Sequence, residues 1–225
     1  MTSIKRTARL AGLLYLILAI TGGFGIMYVP SQLIVLNDPL TTVSNIFNNE
    51  FLYRLGILSQ LACQAVFVYL VLVLYKLLKE FDIHQARIMV GLVIASISIT
   101  FISMTFLLAP LHFLQDPAIT SSFETTQLNS MYMLFFQLYN QGIVVVQIFW
   151  GLWLIPFGIL MNKSSYAPKW IGFFLIVGGA GYVITSIAGV LFPANSKMIE
   201  TFATLPSVVG EFSAILWFLI KGVRE

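Results

Sequence analysis

Six apolar stretches, each long enough to cross a lipid bilayer as a helix, constrain this sequence more than any other feature. About 20 apolar residues in a helix span a hydrocarbon core about 30 Å thick. We therefore predict an all-α, multi-pass membrane fold, organised as a single domain over residues 1–225. The six predicted spans are Leu10–Val29, Leu55–Leu78, Ile88–Leu111, Met133–Met161, Trp170–Phe192 and Leu205–Ile220.

The composition supports a membrane fold and excludes several other classes. Hydrophobic residues make up 59% of the chain and charged residues 9%, whereas soluble domains average about 45–50% and about 25%. The few basic residues are scattered between apolar stretches, so we predict no nucleic-acid binding. Cys63 is the only cysteine, which excludes an internal disulfide.

The first apolar stretch follows Lys5, Arg6 and Arg9, a pattern that also begins secretory signal peptides. The stretch is longer than a usual signal core, and the Thr21-Gly22-Gly23 segment offers no Ala-x-Ala cleavage site. We therefore predict a retained first helix.

The distribution of lysine and arginine predicts the orientation, because basic segments resist translocation. With both termini in the cytoplasm, only Arg54 and Lys197 of the 12 basic residues lie outside. The other ten lie inside: Lys5, Arg6, Arg9, Lys76, Lys79, Arg87, Lys163, Lys169, Lys221 and Arg224. We predict an N-in, C-in topology.

Two of the predicted outer loops carry helix-start signals. Asn37-Asp38-Pro39 offers an N-cap followed by proline, and Leu40, Val43 and Phe47 then repeat at helical spacing. This pattern predicts a short interfacial helix before the second span. Ser121-x-x-Glu124 fits a capping box, so we expect the fourth helix to begin well before Met133.

Small residues form a face on the fifth predicted span, where Gly178, Gly181 and Gly189 fall close together. Such faces let helix backbones approach closely in lipid. Three interpretations stay open: packing within the bundle, a ligand passage, or contact with a second copy or another membrane protein.

Glu211 is the sharpest candidate for function, because a carboxylate inside an apolar span must find a partner or bind a proton. Arg54 opens the second span from the predicted outer side, and we expect it to reach Glu211. This pair could be structural, or it could fix the charged end of a ligand.

Amide side chains complete the candidate ligand-binding site. We predict that the amides of the fourth span share one face that points inward; they are Gln137, Asn140, Gln141 and Gln147. We predict that the amides of the second span, Gln60 and Gln64, face them. Trp150 and Trp153 would then point elsewhere. The alternative is that these amides only join helices by hydrogen bonds.

Several chemistries lack their motifs. The sequence has no G-x-S-x-G, H-E-x-x-H or Walker A motif. His84 and His112 fall on opposite predicted sides of the membrane and cannot share a haem or metal. We therefore predict no metal and no cofactor, and an enzyme is the less favoured class.

Four segments resemble a bacterial membrane family known as domain of unknown function 4386. They are K-R-T-A-R-L-A-G-L-L-Y-L at 5–16, Y-R-L-G at 53–56, Q-I-F-W-G-L-W-L-I-P-F-G at 147–158, and G-E-F-S at 210–213. The resemblance implies a multi-helix protein of the bacterial cytoplasmic (inner) membrane. It implies no catalytic residues.

These observations leave three functional hypotheses. The first is binding or transport of a small amphipathic or lipid-like molecule in a polar-lined pocket. The second is a lipid-modifying enzyme in which Glu211 acts as acid or base. The third is a structural or regulatory subunit of a membrane complex.

Overall fold

A computed structural model describes residues 3–35 and 38–223, and these ranges contain helices and connecting turns without any strand. Asn37 and Arg224, which entered the predictions above, lie outside the described residues. The helices are α1 Ser3–Gly22, a π-helical turn Gly23–Tyr28, α2 Val29–Leu33, α3 Pro39–Asn48, α4 Glu50–Leu78, α5 Ile83–Gln115, α6 Pro117–Thr120, α7 Thr125–Ser164, α8 Lys169–Leu191, α9 Ser196–Ala203 and α10 Leu205–Ile220.

Within the described ranges, six helical segments are long and apolar enough to cross a membrane, which confirms the predicted number of spans. They run over Ile4–Leu33, Glu50–Leu78, Ile83–His112, Thr125–Ser164, Lys169–Leu191 and Ser196–Ile220. The 40 residues of α7 correspond to about 60 Å of helix, about twice the hydrocarbon thickness. The orientation across the membrane stays a prediction.

The predicted short helix is present as α3, and Asp38 is its N-cap. The Asp38 side chain accepts hydrogen bonds from the Thr41 backbone N–H at 3.0 Å and from the Thr41 hydroxyl at 2.6 Å. These bonds hold the pKa of the Asp38 carboxyl below its usual value. The buried side chains of α3 are Thr42, Val43 and Ile46, whereas Leu40 and Phe47 are exposed.

The fourth long helix begins at Thr125, before Met133 as expected, but its start signal was misread. Ser121 ends α6, and it is Gln127 that closes the first turn of α7 by accepting a hydrogen bond from the Glu124 backbone N–H at 3.0 Å. The Gln127 side chain, in the third position of the helix, thus accepts a hydrogen bond from the backbone N–H of the residue that precedes the helix. The two residues that cap the start of α7 are therefore Glu124 and Gln127.

Residues group into two compact units. Unit 1 comprises Met1–Leu18, Ala65–Ser98 and Val144–Glu225, and unit 2 comprises Ala19–Gln64 and Ile99–Ile143. The core of unit 2 contains Val29, Ile46, Tyr53, Leu107, Tyr132 and Tyr139, together with neighbouring aliphatic side chains. Many apolar side chains of both units face outward, as expected where the surrounding solvent is lipid.

Candidate ligand-binding site

Glu211 lies on the face of α10 that packs inward. The buried residues of this helix include Ser207, Gly210, Ala214 and Phe218, which recur every three or four residues. Glu211 falls within this stripe and is only partly exposed. The outward positions of α10 are apolar, as expected for a face that meets acyl chains; they are Val208, Val209, Phe212 and Leu216.

Helix α1 approaches α10 closely because of Gly12. A Cβ atom at Gly12 would lie 2.8 Å from the Leu219 backbone nitrogen and 3.0 Å from Phe218 Cβ, so a larger residue would push the helices apart. Ala8, Ala11 and Tyr15 share the buried face of α1. The small residues on this face thus bring the Tyr15 side chain against α10.

Tyr15 and Glu211 are joined by a short hydrogen bond. The Tyr15 hydroxyl donates to Glu211 Oε2 at 2.6 Å. This length lies within the range of about 2.5–3.0 Å that O–H···O hydrogen bonds adopt. Tyr15 is 1% exposed, so the packing around its ring fixes the position of its hydroxyl.

An aromatic cluster surrounds the Tyr15 ring. The Tyr15 centroid lies 6.1 Å from that of Trp153 and 6.3 Å from that of Phe157. Trp153 stacks on Phe157 at 5.5 Å and meets Phe67 edge-on at 5.1 Å. Trp153 therefore points into unit 1, and the expectation that it would point elsewhere was wrong.

A second carboxylate lies on the same helical segment as Glu211. Gln147 Nε2 donates to Glu200 Oε1 at 2.9 Å, and Gln147 is buried. Tyr182 on α8 lies close to both Glu200 and Glu211. The two carboxylates are eleven residues apart, or about 16 Å along a helix. Unit 1 thus holds carboxylate, phenol and amide groups on α7, α8, α9 and α10.

Arg54 and Glu211 each have a partner within their own unit, and the predicted pair between them stays a prediction. Arg54 Nη2 lies 2.6 Å from Glu50 Oε1, one helical turn earlier on α4, and the Arg54 side chain is 47% exposed. A partner four residues away on the same helix is within reach without any tertiary constraint. Arg54 therefore completes a local ion pair.

The partners of Glu211 and Glu200 are neutral. In the part of the chain that the structure describes, neither carboxylate forms an ion pair with lysine or arginine, in contrast to Glu50 and Asp82. A carboxylate at membrane depth without a counter-ion is costly. Binding of a cation or a proton would therefore stabilise these two carboxylates of unit 1.

Gln60 joins three elements of unit 2. Its Nε2 donates to the Gly25 carbonyl at 3.0 Å, and its Oε1 accepts from the Tyr139 hydroxyl at 2.8 Å. Gly25 belongs to the π-helical turn, and a Cβ atom there would lie 2.6 Å from Gln60 Cγ. The adjacent cavity of about 20 Å³ has room for about one water molecule. The contacts of Gln60 therefore agree with the alternative in which the amides only join helices by hydrogen bonds.

The other amides divide into buried and exposed groups. Gln64 is buried, and its Oε1 has no hydrogen-bond partner. The prediction of one inward amide face on α7 is wrong, because three of its members are exposed: Gln137, Asn140 and Gln141. A buried stripe of α7 repeats every seven residues and consists of Tyr132, Tyr139, Val146 and Trp153.

The glycine face of α8 is occupied within unit 1. A Cβ atom at Gly178 would overlap the Ser207 backbone, and one at Gly181 would overlap the Ala203 carbonyl oxygen. A Cβ atom at Gly189 would lie 2.6 Å from Val144 Cγ1. These contacts correspond to the bundle-packing interpretation. A partner protein would find this face already covered by α7, α9 and α10.

The residues that sequence reasoning missed are Tyr15, Tyr182 and Glu200. Tyr15 stands seven residues after Ala8 and four after Ala11, a helical spacing that marks one face of α1. Glu200 lies between the fifth and sixth predicted spans and was therefore not considered as a membrane-embedded carboxylate. The described residues contain no group of three or more histidine, cysteine, aspartate or glutamate side chains placed to hold a metal ion.

Comparison with known proteins yields a family but no activity. The model of a family described as "Domain of unknown function (DUF4386)" matches residues 10–222. An uncharacterised protein of Archaeoglobus fulgidus is 33% identical over 75 residues. That match covers 33% of this chain and 43% of the archaeal protein. No solved structure matches the chain.

Proposed function

Because this chain belongs to the DUF4386 family, whose description names no activity, we propose a function from the chemistry of its own side chains. The protein binds or transports a small amphipathic molecule that carries a cationic head group. Glu211 is the group that receives the head. The observation that carries the proposal is the Glu211 carboxylate on the inward face of α10, hydrogen-bonded to a neutral phenol.

The sign of the ligand charge follows from the partners of Glu211. With Arg54 paired to Glu50, the basic group that was expected to share the site is engaged elsewhere. Glu200 adds a second acidic group on the same helical segment. A cationic head would supply the charge that both carboxylates lack among the described residues, whereas an anionic head would be repelled.

The aromatic side chains favour the same class of ligand. Tyr15 and Trp153 form an aromatic cluster next to the Glu211 hydrogen bond. Aromatic faces attract ammonium groups, and desolvation strengthens the attraction to about 2 kcal/mol. An apolar tail on the ligand would remain compatible with the lipid-facing side of α10, where Val208 and Phe212 are exposed.

Equilibrium binding of tetraphenylphosphonium, an apolar organic cation, tests the proposal. Purified protein in neutral detergent is dialysed against the labelled cation. We expect saturable binding that falls at least tenfold in Glu211→Gln, since removing the charge from a desolvated ion pair costs more than about 1.4 kcal/mol. Glu80→Gln is the matched control, because Glu80 is an exposed residue in the turn after α4.

Two outcomes would contradict the proposal. One is equal binding by wild-type protein and Glu211→Gln. The other is preferential binding of an anionic analogue such as tetraphenylborate by the wild-type protein. Because the second comparison uses no variant, the proposal stays testable even where Glu211→Gln fails to fold.

A further inference from the structure

An apolar groove between α8 and α10 lies apart from the carboxylates of unit 1. Its volume is about 260 Å³, and it is lined by Trp170, Ile171, Ser213, Leu216, Trp217, Ile220 and Lys221. Trp170, Leu216 and Ile220 are about half exposed or more. Nearly all of this lining is apolar, so a groove at this position in a membrane protein suits an acyl chain.

The polar end of the groove is basic. Lys221 follows the last residue of α10 and lines the groove, and Lys169 begins α8 directly before Trp170. The lining contains no acidic side chain. Charge complementarity therefore selects a ligand whose polar end is negative.

A side-chain hydrogen bond and the ends of two helices fix the geometry of this end of the groove. Trp217 Nε1 donates to the Tyr166 carbonyl at 2.9 Å, which fixes the indole ring that forms one wall. Gly222 adopts a φ of 74° and donates its N–H to the Trp217 carbonyl, which terminates α10 at its C-cap residue, Lys221. On the facing helix, Pro168 precedes α8 and offers no side-chain cap to the N–H groups of its first turn. These N–H groups add to the positive potential that Lys221 provides.

We propose that this groove is a binding site for an anionic phospholipid, with the acyl chain between α8 and α10 and the phosphate at Lys221. The site is independent of the proposed function, since it uses different side chains and the opposite ligand charge. Tryptophan rings at the groove, Trp170 and Trp217, match the enrichment of tryptophan at the membrane–water interface, where a lipid phosphate lies.

Native mass spectrometry of the purified full chain tests the site. The protein is mixed with equal amounts of phosphatidylglycerol and phosphatidylcholine, which share acyl chains and differ in head-group charge. We expect the wild-type protein to retain phosphatidylglycerol about fivefold more than phosphatidylcholine, the factor that one lysine contributes near an anionic head group. We expect Lys221→Gln to abolish this preference.

The control is Lys197→Gln, which removes an exposed lysine of α9 that does not line the groove. This variant should keep the preference. Ser213→Phe, which fills the groove, should lower the retention of both lipids together. The site is refuted when the wild-type protein retains both lipids equally, or when Lys221→Gln and Lys197→Gln lose the preference to the same extent.

Discussion

The Tyr15 hydroxyl donates a 2.6 Å hydrogen bond to Glu211 Oε2 across the contact between α1 and α10. The bond joins residues 196 positions apart in the chain, so it ties the first membrane-spanning segment to the last. Glu211 thereby has a fixed orientation on the inward face of α10. The same bond stabilises unit 1 and positions the carboxylate that the proposed function requires.

We expect Tyr15→Phe to lower the free energy of unfolding by about 1–2 kcal/mol. The substitution removes the hydroxyl and keeps the ring, so the loss reports the hydrogen bond to Glu211. Reversible unfolding in mixed micelles measures the change. Tyr69→Phe, at a position that is 66% exposed, is the control and should change stability little. Equal effects of the two substitutions would mean that the Tyr15 hydroxyl contributes nothing specific.

We expect Gly181→Ala and Gly91→Ala to change stability in opposite directions. A Cβ atom at Gly181 would overlap the Ala203 carbonyl, so α8 and α9 must separate, at a cost of about 1–3 kcal/mol. At Gly91 nothing lies within 4 Å of the added atom, and alanine should stabilise the helix by about 0.5–1 kcal/mol. Thermal unfolding in one detergent compares the two variants. A stable Gly181→Ala protein would contradict the described contact.

We expect a coupling of about 1 kcal/mol between Gln60 and Tyr139 in a double-mutant cycle. The Tyr139 hydroxyl donates to Gln60 Oε1 at 2.8 Å, so Tyr139→Phe should cost less once Gln60→Leu is present. Unfolding free energies of the four proteins give the coupling. Gln141→Leu, at an exposed position of α7, replaces Gln60→Leu in the control cycle. A coupling near zero in the first cycle would overturn the assignment of this bond.

We expect the ion pair of Asp82 and Lys163 to make stability depend on pH in the acid range. The hydrogen bond from Lys163 Nζ at 2.6 Å, together with backbone N–H groups at the start of α5, holds the pKa of the Asp82 carboxyl below its usual value of 3.8. Because the folded-state pKa is the lower one, the ionised carboxyl stabilises the protein above that usual value. This contribution is lost as the pH falls through the folded-state value.

Thermal unfolding of Asp82→Asn against wild type at pH 7 and near pH 2.5 measures that effect. The variant should melt at a lower temperature at pH 7, and the difference should shrink at the acid end. Glu80→Gln is the control, because Glu80 is exposed and lies two residues earlier. A difference that stays constant across this range would contradict the depressed pKa of Asp82.

The six spans were predictable because the length of an apolar stretch directly reflects bilayer thickness. The inward position of Glu211 followed from the same physics, since a carboxylate is costly among acyl chains. The partner of Glu211 was not predictable, because the contact with Tyr15 depends on how α1 packs against α10. Periodicity identifies a face of a helix but does not say which other helix meets it.

The errors at the predicted site have physical causes as well. Sequence reasoning overlooked Glu50 as a partner of Arg54, although it stands one helical turn away and within reach. On α7, the amide stripe competed with a stripe of tyrosine, valine and tryptophan residues seven apart, and all four residues of that second stripe are buried. Burying an aromatic ring gains more contact area than burying an amide. The three aromatic members of the second stripe therefore favour the burial of that face.

The proposed function is tested most directly by asking whether a cation binds at the Glu211 carboxylate in the wild-type protein. Dicyclohexylcarbodiimide, an apolar reagent that modifies carboxyl groups, is applied with and without saturating tetraphenylphosphonium, and modification is mapped by mass spectrometry of peptides. We predict that the cation slows modification of Glu211 several-fold and leaves Glu80 unaffected. Modification of Glu211 at the same rate with and without the cation would contradict the account.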